Sequence, residues 1–259
     1  MAQFVEPRVR LVGYPNVNFD EMWDYLSSVD DRATQWLYNV SMSSSAEILA
    51  EFMGRLCYKS WAPGINPNVT KVRTSSLDYL QNTISKGHGS ILEHGMFNFV
   101  FQNVSRTMTH ELVRHRAGVA VSQESLRFVR LTDIDVVAPP EHQTPEFLTM
   151  VEQLEDYQKN QAEKFGLDQE GVPFSYKKEV TSALRRLAPI GLATHIGWSA
   201  NLRTLRHVIT MRTDRHAEWE IRFVFDRVAQ MMKQTTPLVF DDFEAEELED
   251  GTHEWKTKT

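Results

Sequence analysis

Strict alternation in MFNFVFQNV puts Phe97, Phe99 and Phe101 on one face of an extended chain and predicts a half-buried strand. RVRLVGYP, from Arg8, predicts a shorter strand. Elsewhere the period is helical. SSSAEILAEFMGRLCYKS reads as a helix entered through serines, and WAPGINPN as a loop rich in Pro, Gly and Asn. SSLDYLQNTISKGH has a serine cap, an apolar stripe at Leu77, Leu80 and Ile84, and a stop at Gly87. SRTMTHELVRHR, poor in strand formers, is read as a helix ending near its arginines, and VVAPPEHQ as a loop. Thr144 and Pro145 then cap and open a helix whose expected inner face carries Phe147, Met150, Val151, Leu154 and Tyr157. After the loop GLDQEGVP, further helices are predicted from Tyr176 to Leu187 and from Asn201 to Met211. A last one has amphipathic spacing at Ile221, Val224, Phe225, Val228, Met231 and Met232. The first seventy residues give the weakest pattern. The end, DDFEAEELEDGTHEWKTKT (241–259), is acidic then basic and is expected to be disordered. With no repeat and no low-complexity linker, the pattern predicts one α+β domain over residues 1–240.

Composition narrows the function more than the fold. Apolar residues make up 41% and charged residues 24% of the 259, enough for a substantial core. The net charge of -7 disfavours nucleic acid and anionic membranes as partners, so an anion has to be held by local arginine clusters. The single cysteine, Cys57, excludes an intramolecular disulfide framework and fits a reducing compartment. The opening MAQFVEPRVRLVGYP lacks a signal-peptide core, and no run reaches transmembrane length, so a cytoplasmic location is expected.

HELVRHRAGVAVSQESLRF (110–128) concentrates the candidate chemistry. His110-Glu111 followed by His115 approaches the zinc pattern H-E-x-x-H with one residue too many. Histidines four apart on a helix lie about 40° apart; at five the angle is about 140°, and no cysteine cluster compensates. No metal site is expected. An anion site fits better, because Arg114, His115, Arg116 and Arg127 offer donors suited to phosphate. Between them AGVAVSQES is a small-residue segment that lets backbone approach a ligand, with hydroxyls at Ser122 and Ser125. A solvated helix end explains the same charges, so other clusters have to decide. GHGSILEH supplies His88, Ser90, Glu93 and His94 just before the phenylalanine strand. In NLRTLRHVITMRTDRHAEWEIR, Arg203 and His207 are four apart, as are Arg212 and His216, and each pair shares a face if helical.

Taken in order, these motifs resemble the flavin-dependent thymidylate synthase family. Arg114-His115-Arg116 followed by Ser125-Leu126-Arg127-Phe128 is similar to the family signature, GHGSILEH to its upstream histidine motif, and RRLAPIGLATHIGWSANLRTLRHVITMRTDRHAEWEIR to its C-terminal half. The resemblance covers roughly residues 75–240. It implies a thymidylate-synthase-complementing fold, a twisted and largely antiparallel sheet packed against helices. It also implies an enzyme that methylates C5 of a uridylate using FAD, NADPH and methylenetetrahydrofolate, without a cysteine nucleophile. The implied flavin contacts are His88, Ser90, Arg114, His115, Arg116, Asn201, Arg203, His207 and His216. Ser125, Arg127 and Arg185 take the implied nucleotide phosphate and sugar contacts, and Arg212 polarises the uracil ring. Homotetramers whose active sites are shared between subunits are implied as well.

Two departures bear on specificity. The family has seven residues between Arg-His-Arg and the serine; AGVAVSQE makes eight. Gln123 therefore stands at the family's glutamate position, with Glu124 one residue later, and Glu124 is expected to take the role through a local bulge. Where the family carries a glutamine near the nucleotide, this chain has Glu111, which could accept hydrogen bonds from a ribose diol. UMP is thus a candidate substrate beside dUMP. The competing expectation is a nucleotide- or RNA-binding module on the same scaffold that has lost catalysis.

Overall fold

The phenylalanine alternation becomes the second strand of a four-stranded sheet in the computed structural model, which describes residues 2–40, 43–128 and 131–258. In chain order the elements are β1 (Gln3–Phe4), β2 (Arg8–Gly13), α1 (Phe19–Val29), α2 (Gln35–Asn39), α3 (Ser45–Tyr58) and α4 (Ser76–Ser85). Next come β3 (Met96–Ser105), α5 (Arg106–Leu112), β4 (Val119–Gln123), β5 (Asp135–Val136), α6 (Pro145–Lys164) and α7 (Phe174–Leu184). The chain closes with β6 (Ala193–Asn201), α8 (Leu202–Arg212), α9 (Trp219–Thr235), β7 (Phe243–Glu247) and β8 (His253–Thr257). The main sheet runs β2-β3-β6-β4, with every pairing antiparallel.

Phe97, Phe99 and Phe101 of β3 and Ile196, Trp198 and Ala200 of β6 form one buried face. Leu205, Val208 and Ile209 of α8 and Val224, Phe225 and Val228 of α9 share its core. β3 bulges between Phe101 and Val104, where Asn103 adopts φ 56, a left-handed conformation that asparagine tolerates better than most residues. The helix starts follow the polar pattern. Ser44 forms a capping box with Glu47 at the head of α3, and Ser75, Ser105, Thr144 and Asn201 cap α4, α5, α6 and α8.

The weakly patterned N-terminal stretch folds into α1 and α2, joined by a 3-10 turn at Asp31–Thr34, with a core of its own. Trp36, Phe52 and Trp61 pack together there, and the Trp36 indole donates to Glu51 at 2.7 Å.

Several expectations need correction. Residues 241–258 are not a disordered tail: β7 and β8 pair as a hairpin, with Phe243 and Trp255 buried in the main core (Thr259 lies outside the described residues). The acidic positions are neutralised locally, Glu246 and Glu254 by Arg215 and Lys256. On α6 the buried stripe is Val151, Glu155, Gln158 and Ala162, whereas Phe147, Met150 and Tyr157 are exposed. Two polar side chains displace the apolar face because each has an internal partner. Glu155 accepts from the Ile134 N–H at 3.5 Å, and Gln158 donates to the Leu184 carbonyl that ends α7. The small-residue segment after Arg116 is largely β4, an edge strand, and the loop around VVAPPEHQ contains β5, parallel to β1.

Candidate functional site

α5 is capped by Ser105, whose hydroxyl accepts from Met108 N and whose N–H donates to buried Glu220 of α9 at 2.6 Å. Burial pushes the Glu220 carboxyl up to about 7, although the Ser105 donors oppose the rise. The helix ends at Leu112, so Arg114–Ala117 form a connection into β4 rather than a further helical turn. That connection is seated on the start of α8. The Asn201 N–H donates to Gly118 O at 3.1 Å, and the Thr204 hydroxyl donates to Ala117 O at 2.8 Å. Gly118 has φ 69, and a Cβ there would lie 2.3 Å from Asn201 Nδ2 and 2.5 Å from Thr204 Oγ1, so the seat requires glycine.

A cleft of about 540 Å³ opens at this junction. It gathers Arg114, His115, Arg116, Asn201, Arg203 and His207, with Glu93 facing Arg203 at 2.6 Å. His88 and Ser90 stand at the start of the 3-10 turn Gly89–His94, which packs against α8; a Cβ on Gly89 would lie 2.9 Å from Arg203 Nε. Arg203 and His207 do share a helix face. Arg212 and His216 do not, because α8 stops at Arg212 and His216 lies in the following turn, its N–H on Asp214.

Three hydrogen bonds fix Arg212. Its Nε donates to His115 Nε2 at 2.8 Å, Nη1 to Glu111 Oε2 at 2.6 Å and Nη2 to the Glu111 carbonyl at 3.2 Å. An imidazole that accepts at Nε2 carries its proton on Nδ1 and is neutral. Burial, then the Arg212 charge, then His207 push His115 down to about 4 from 6.5. The unfolded chain therefore takes up a proton that the folded one excludes, and stability falls as pH drops from about 6.5 to about 4. Replacing His115 with glutamine should flatten this acid limb in urea unfolding; an unchanged limb would contradict the assignment.

The remaining candidates collect at the opposite end of the β4–β6 pair. Gln123 and Glu124 diverge: Gln123 donates to Thr109 of α5 at 3.0 Å, while Glu124 Oε2 accepts from the His195 N–H at 3.0 Å. The expected bulge is absent. The β4–β6 register runs unbroken to Gln123, and the Glu124 N–H continues it onto His195 O. Glu124, Asn103, Arg106 and His195 wall a cavity of about 150 Å³. There Arg106 Nη2 donates to Glu124 O, while Arg106 Nε and the Thr194 hydroxyl are buried without a partner among the described residues. Burial, assisted by the charge of Arg185, lowers the Arg106 pKa against the pull of Glu124. The Ser125 hydroxyl accepts from the Arg127 N–H, and the Arg127 side chain donates to Ser182 of α7, which runs into Arg185. Sequence reasoning missed Arg106, Thr109 and His195. Only the SRTMTH helix start and the THIGWSA alternation carried a signal for them.

The result is an α+β protein with a concentrated cationic cleft at a helix start, an anchored arginine beside it and a second arginine group at a sheet edge. The sequence profile of the thymidylate synthase complementing proteins matches residues 40–238. A flavin-dependent thymidylate synthase of Mycolicibacterium gilvum (strain PYR-GCK) is 36% identical over 212 residues, 79% of this chain and 82% of the relative. One from Mycobacteroides abscessus is 36% identical over 211 residues, with the same coverage, and one from Mycobacterium marinum 35% over 218 residues, 81% of this chain and 84% of the relative. The chain belongs to this family, the flavin-dependent thymidylate synthases, and is an enzyme of the transferase class. Among the described residues no helix is long and apolar enough to cross a membrane.

Proposed function

We propose that the protein methylates C5 of a uridylate, with methylenetetrahydrofolate as carbon donor and FAD, reduced by NADPH, as hydride source. The observation that carries this reading is Arg212, aligned by Glu111 and by His115, which itself lines the cationic cleft. The cleft suits a flavin nucleotide in charge and in donors: Arg114, Arg116 and Arg203 line it with Asn201 and His207, and Gly118 lets the connection that carries Arg114 and Arg116 sit close against Asn201 and Thr204. His88, Ser90, Arg114, His115, Arg116, Asn201, Arg203, His207 and His216 would hold the flavin. A bound reduced flavin supplies the hydride.

The chain's own part is binding and electrostatics. Arg212 presents a fixed cation to the pyrimidine edge and stabilises negative charge as the ring is activated. Neutral His115 keeps that guanidinium from turning without adding a competing charge. Ser125, Arg127 and Arg185, joined by Arg106, would take the phosphate and sugar, with Gln123, Glu124 and Arg114 beside them. Cys57 donates to Met53 O on α3 and belongs to neither group, so no thiol adds to the ring. In one chain the two groups form separate cavities, which supports a homotetramer whose active sites combine both. All of these residues lie within residues 1–240, the hairpin β7–β8 completes the same domain, and the enzyme is cytoplasmic.

Glu111 favours a second substrate. Arg212 neutralises it through Oε2, and Oε1 accepts no hydrogen bond among the described residues, leaving an acceptor for a ribose hydroxyl. UMP is therefore proposed as a substrate beside dUMP. Release of tritium from C5-labelled dUMP and UMP tests both claims. No release from dUMP sinks the proposed reaction and favours a binding module; release from dUMP alone sinks the UMP claim.

A further inference from the structure

The hairpin β7–β8 grips one stretch of chain from two directions. That stretch is the turn at 213–217, which leaves α8 directly after Arg212. From the turn, Arg215 reaches out to both strands, donating to Glu254 at 2.9 Å and Glu246 at 2.7 Å. From α9, Arg222 reaches across the turn. Its Nη1 donates to the Arg215 carbonyl at 3.0 Å and the Ala217 carbonyl at 2.9 Å, while Nε bonds the Thr252 hydroxyl and Nη2 the Asp250 carboxylate. A third tie is buried: the Trp255 N–H donates to Thr213 Oγ1 at 3.0 Å, and the same hydroxyl donates back to Ile209 O in α8. The hairpin is itself anchored below, its Trp255 indole donating to buried Asp226 of α9 at 2.8 Å.

We propose that this hairpin is a positioning element for Arg212, with Arg215 and Arg222 as reciprocal clamps that hold the end of α8 against α5. The proposal rests on the reading of Arg212 as the arginine that faces the pyrimidine. Geometry gives the reason for such a device. Arg212 is the last residue of α8, where a helix frays, yet its three hydrogen bonds all end on one neighbouring segment, Glu111 and His115. A fraying end cannot hold a guanidinium in one place, and a misplacement near 1 Å can cost about a hundredfold in rate. The clamp is also durable toward acid. Burial alone would raise Asp250, but the Thr252 hydroxyl and the Arg222 guanidinium outweigh it and hold it below the usual carboxylate range. Glu254 is lowered in the same way by Arg215 and Lys256.

Full-length flavin-loaded enzyme carrying Arg222→Gln, Arg215→Gln or Arg222→Lys provides the test. Arg215 is half exposed, so its variant folds even if Arg222→Gln does not. The Gln variants are expected to lose about tenfold to a hundredfold in kcat with little change in flavin content, and Arg222→Lys to recover part of the loss. A second readout needs no turnover. His115 faces Arg212 and His207, and its C2-hydrogen exchange, followed by mass spectrometry, reports its pKa. Once Arg212 loosens, that pKa should rise from about 4 toward 6.5. A lower melting temperature with kcat within about twofold of the parent and His115 unmoved would reduce the hairpin to a structural part and overturn the proposal. If the parent turns over no uridylate, the proposed function fails, while His115 exchange still decides whether the clamp positions Arg212.

Discussion

Changing Arg212 to lysine should lower kcat by about a hundredfold to a thousandfold with flavin content retained, the range found when one preorganised donor is lost from a site of developing charge. Lysine keeps the charge, so the expected loss isolates geometry. The guanidinium makes three bonds in fixed directions, to His115 Nε2, Glu111 Oε2 and the Glu111 carbonyl. An ammonium on a flexible stem cannot meet all three and still face a substrate along the remaining edge. Arg212 is also largely buried, its side chain 16% exposed, so the displaced cation is not simply replaced by solvent. Steady-state kinetics with dUMP, beside the visible flavin spectrum, check the result. A loss below about tenfold would show that charge alone suffices and that Arg212 does not depend on its alignment.

The second large effect concerns stability. Arg55→Met should destabilise the fold by about 3–5 kcal/mol, the cost of leaving one partner of a buried ion pair alone. Arg55 and Glu51 are each 1% exposed and meet at 2.7 Å. The other guanidinium nitrogens donate to the Ser60 carbonyl at 2.6 Å and the Arg73 carbonyl at 2.7 Å, and the plane lies 4.5 Å from the Tyr79 ring centre. One side chain thus ties α3 to the chain on both sides of the WAPGINPN loop and to α4. Adding Glu51→Gln should recover much of the loss, because it removes the stranded carboxylate while keeping an acceptor for Trp36. Chemical unfolding of the two variants decides it, and a double variant no more stable than the single would contradict the ion-pair account.

How far the fold is legible in the chain can be judged from particular elements. Phe97, Phe99 and Phe101 announce β3, and serine, threonine or asparagine caps mark α3 through α6 and α8, because those signals are local. The α6 face departs from its helical period because the burial of Glu155 and Gln158 depends on Ile134 and Leu184, partners that no period can reveal. The acidic hairpin looked disordered for the same reason: its compensating arginines, Arg206, Arg215 and Arg222, stand on α8, on the turn after it and on α9. β6, central to the sheet, alternates Thr194, Ile196, Trp198 and Ala200 inward against His195, Gly197 and Ser199, a period-2 signal local to the chain.

For the site, the resemblance located the motifs, while the folded chain determined which residues meet. Arg114, His115, Arg116, Asn201, Arg203 and His207 share a cleft because the connection after α5 sits on the start of α8. Ser125, Arg127 and Arg185 gather elsewhere, around α7. The split between Gln123 and Glu124 follows from strand alternation, once β4 is recognised as a strand.

The most direct test of the central claim is a visible-absorbance titration of purified, flavin-reconstituted protein with dUMP. If the cleft beside Arg212 holds a flavin next to a uridylate, the protein is yellow and its flavin band shifts saturably as dUMP is added. A protein that takes up no flavin, or one whose flavin band ignores saturating dUMP, would contradict the account.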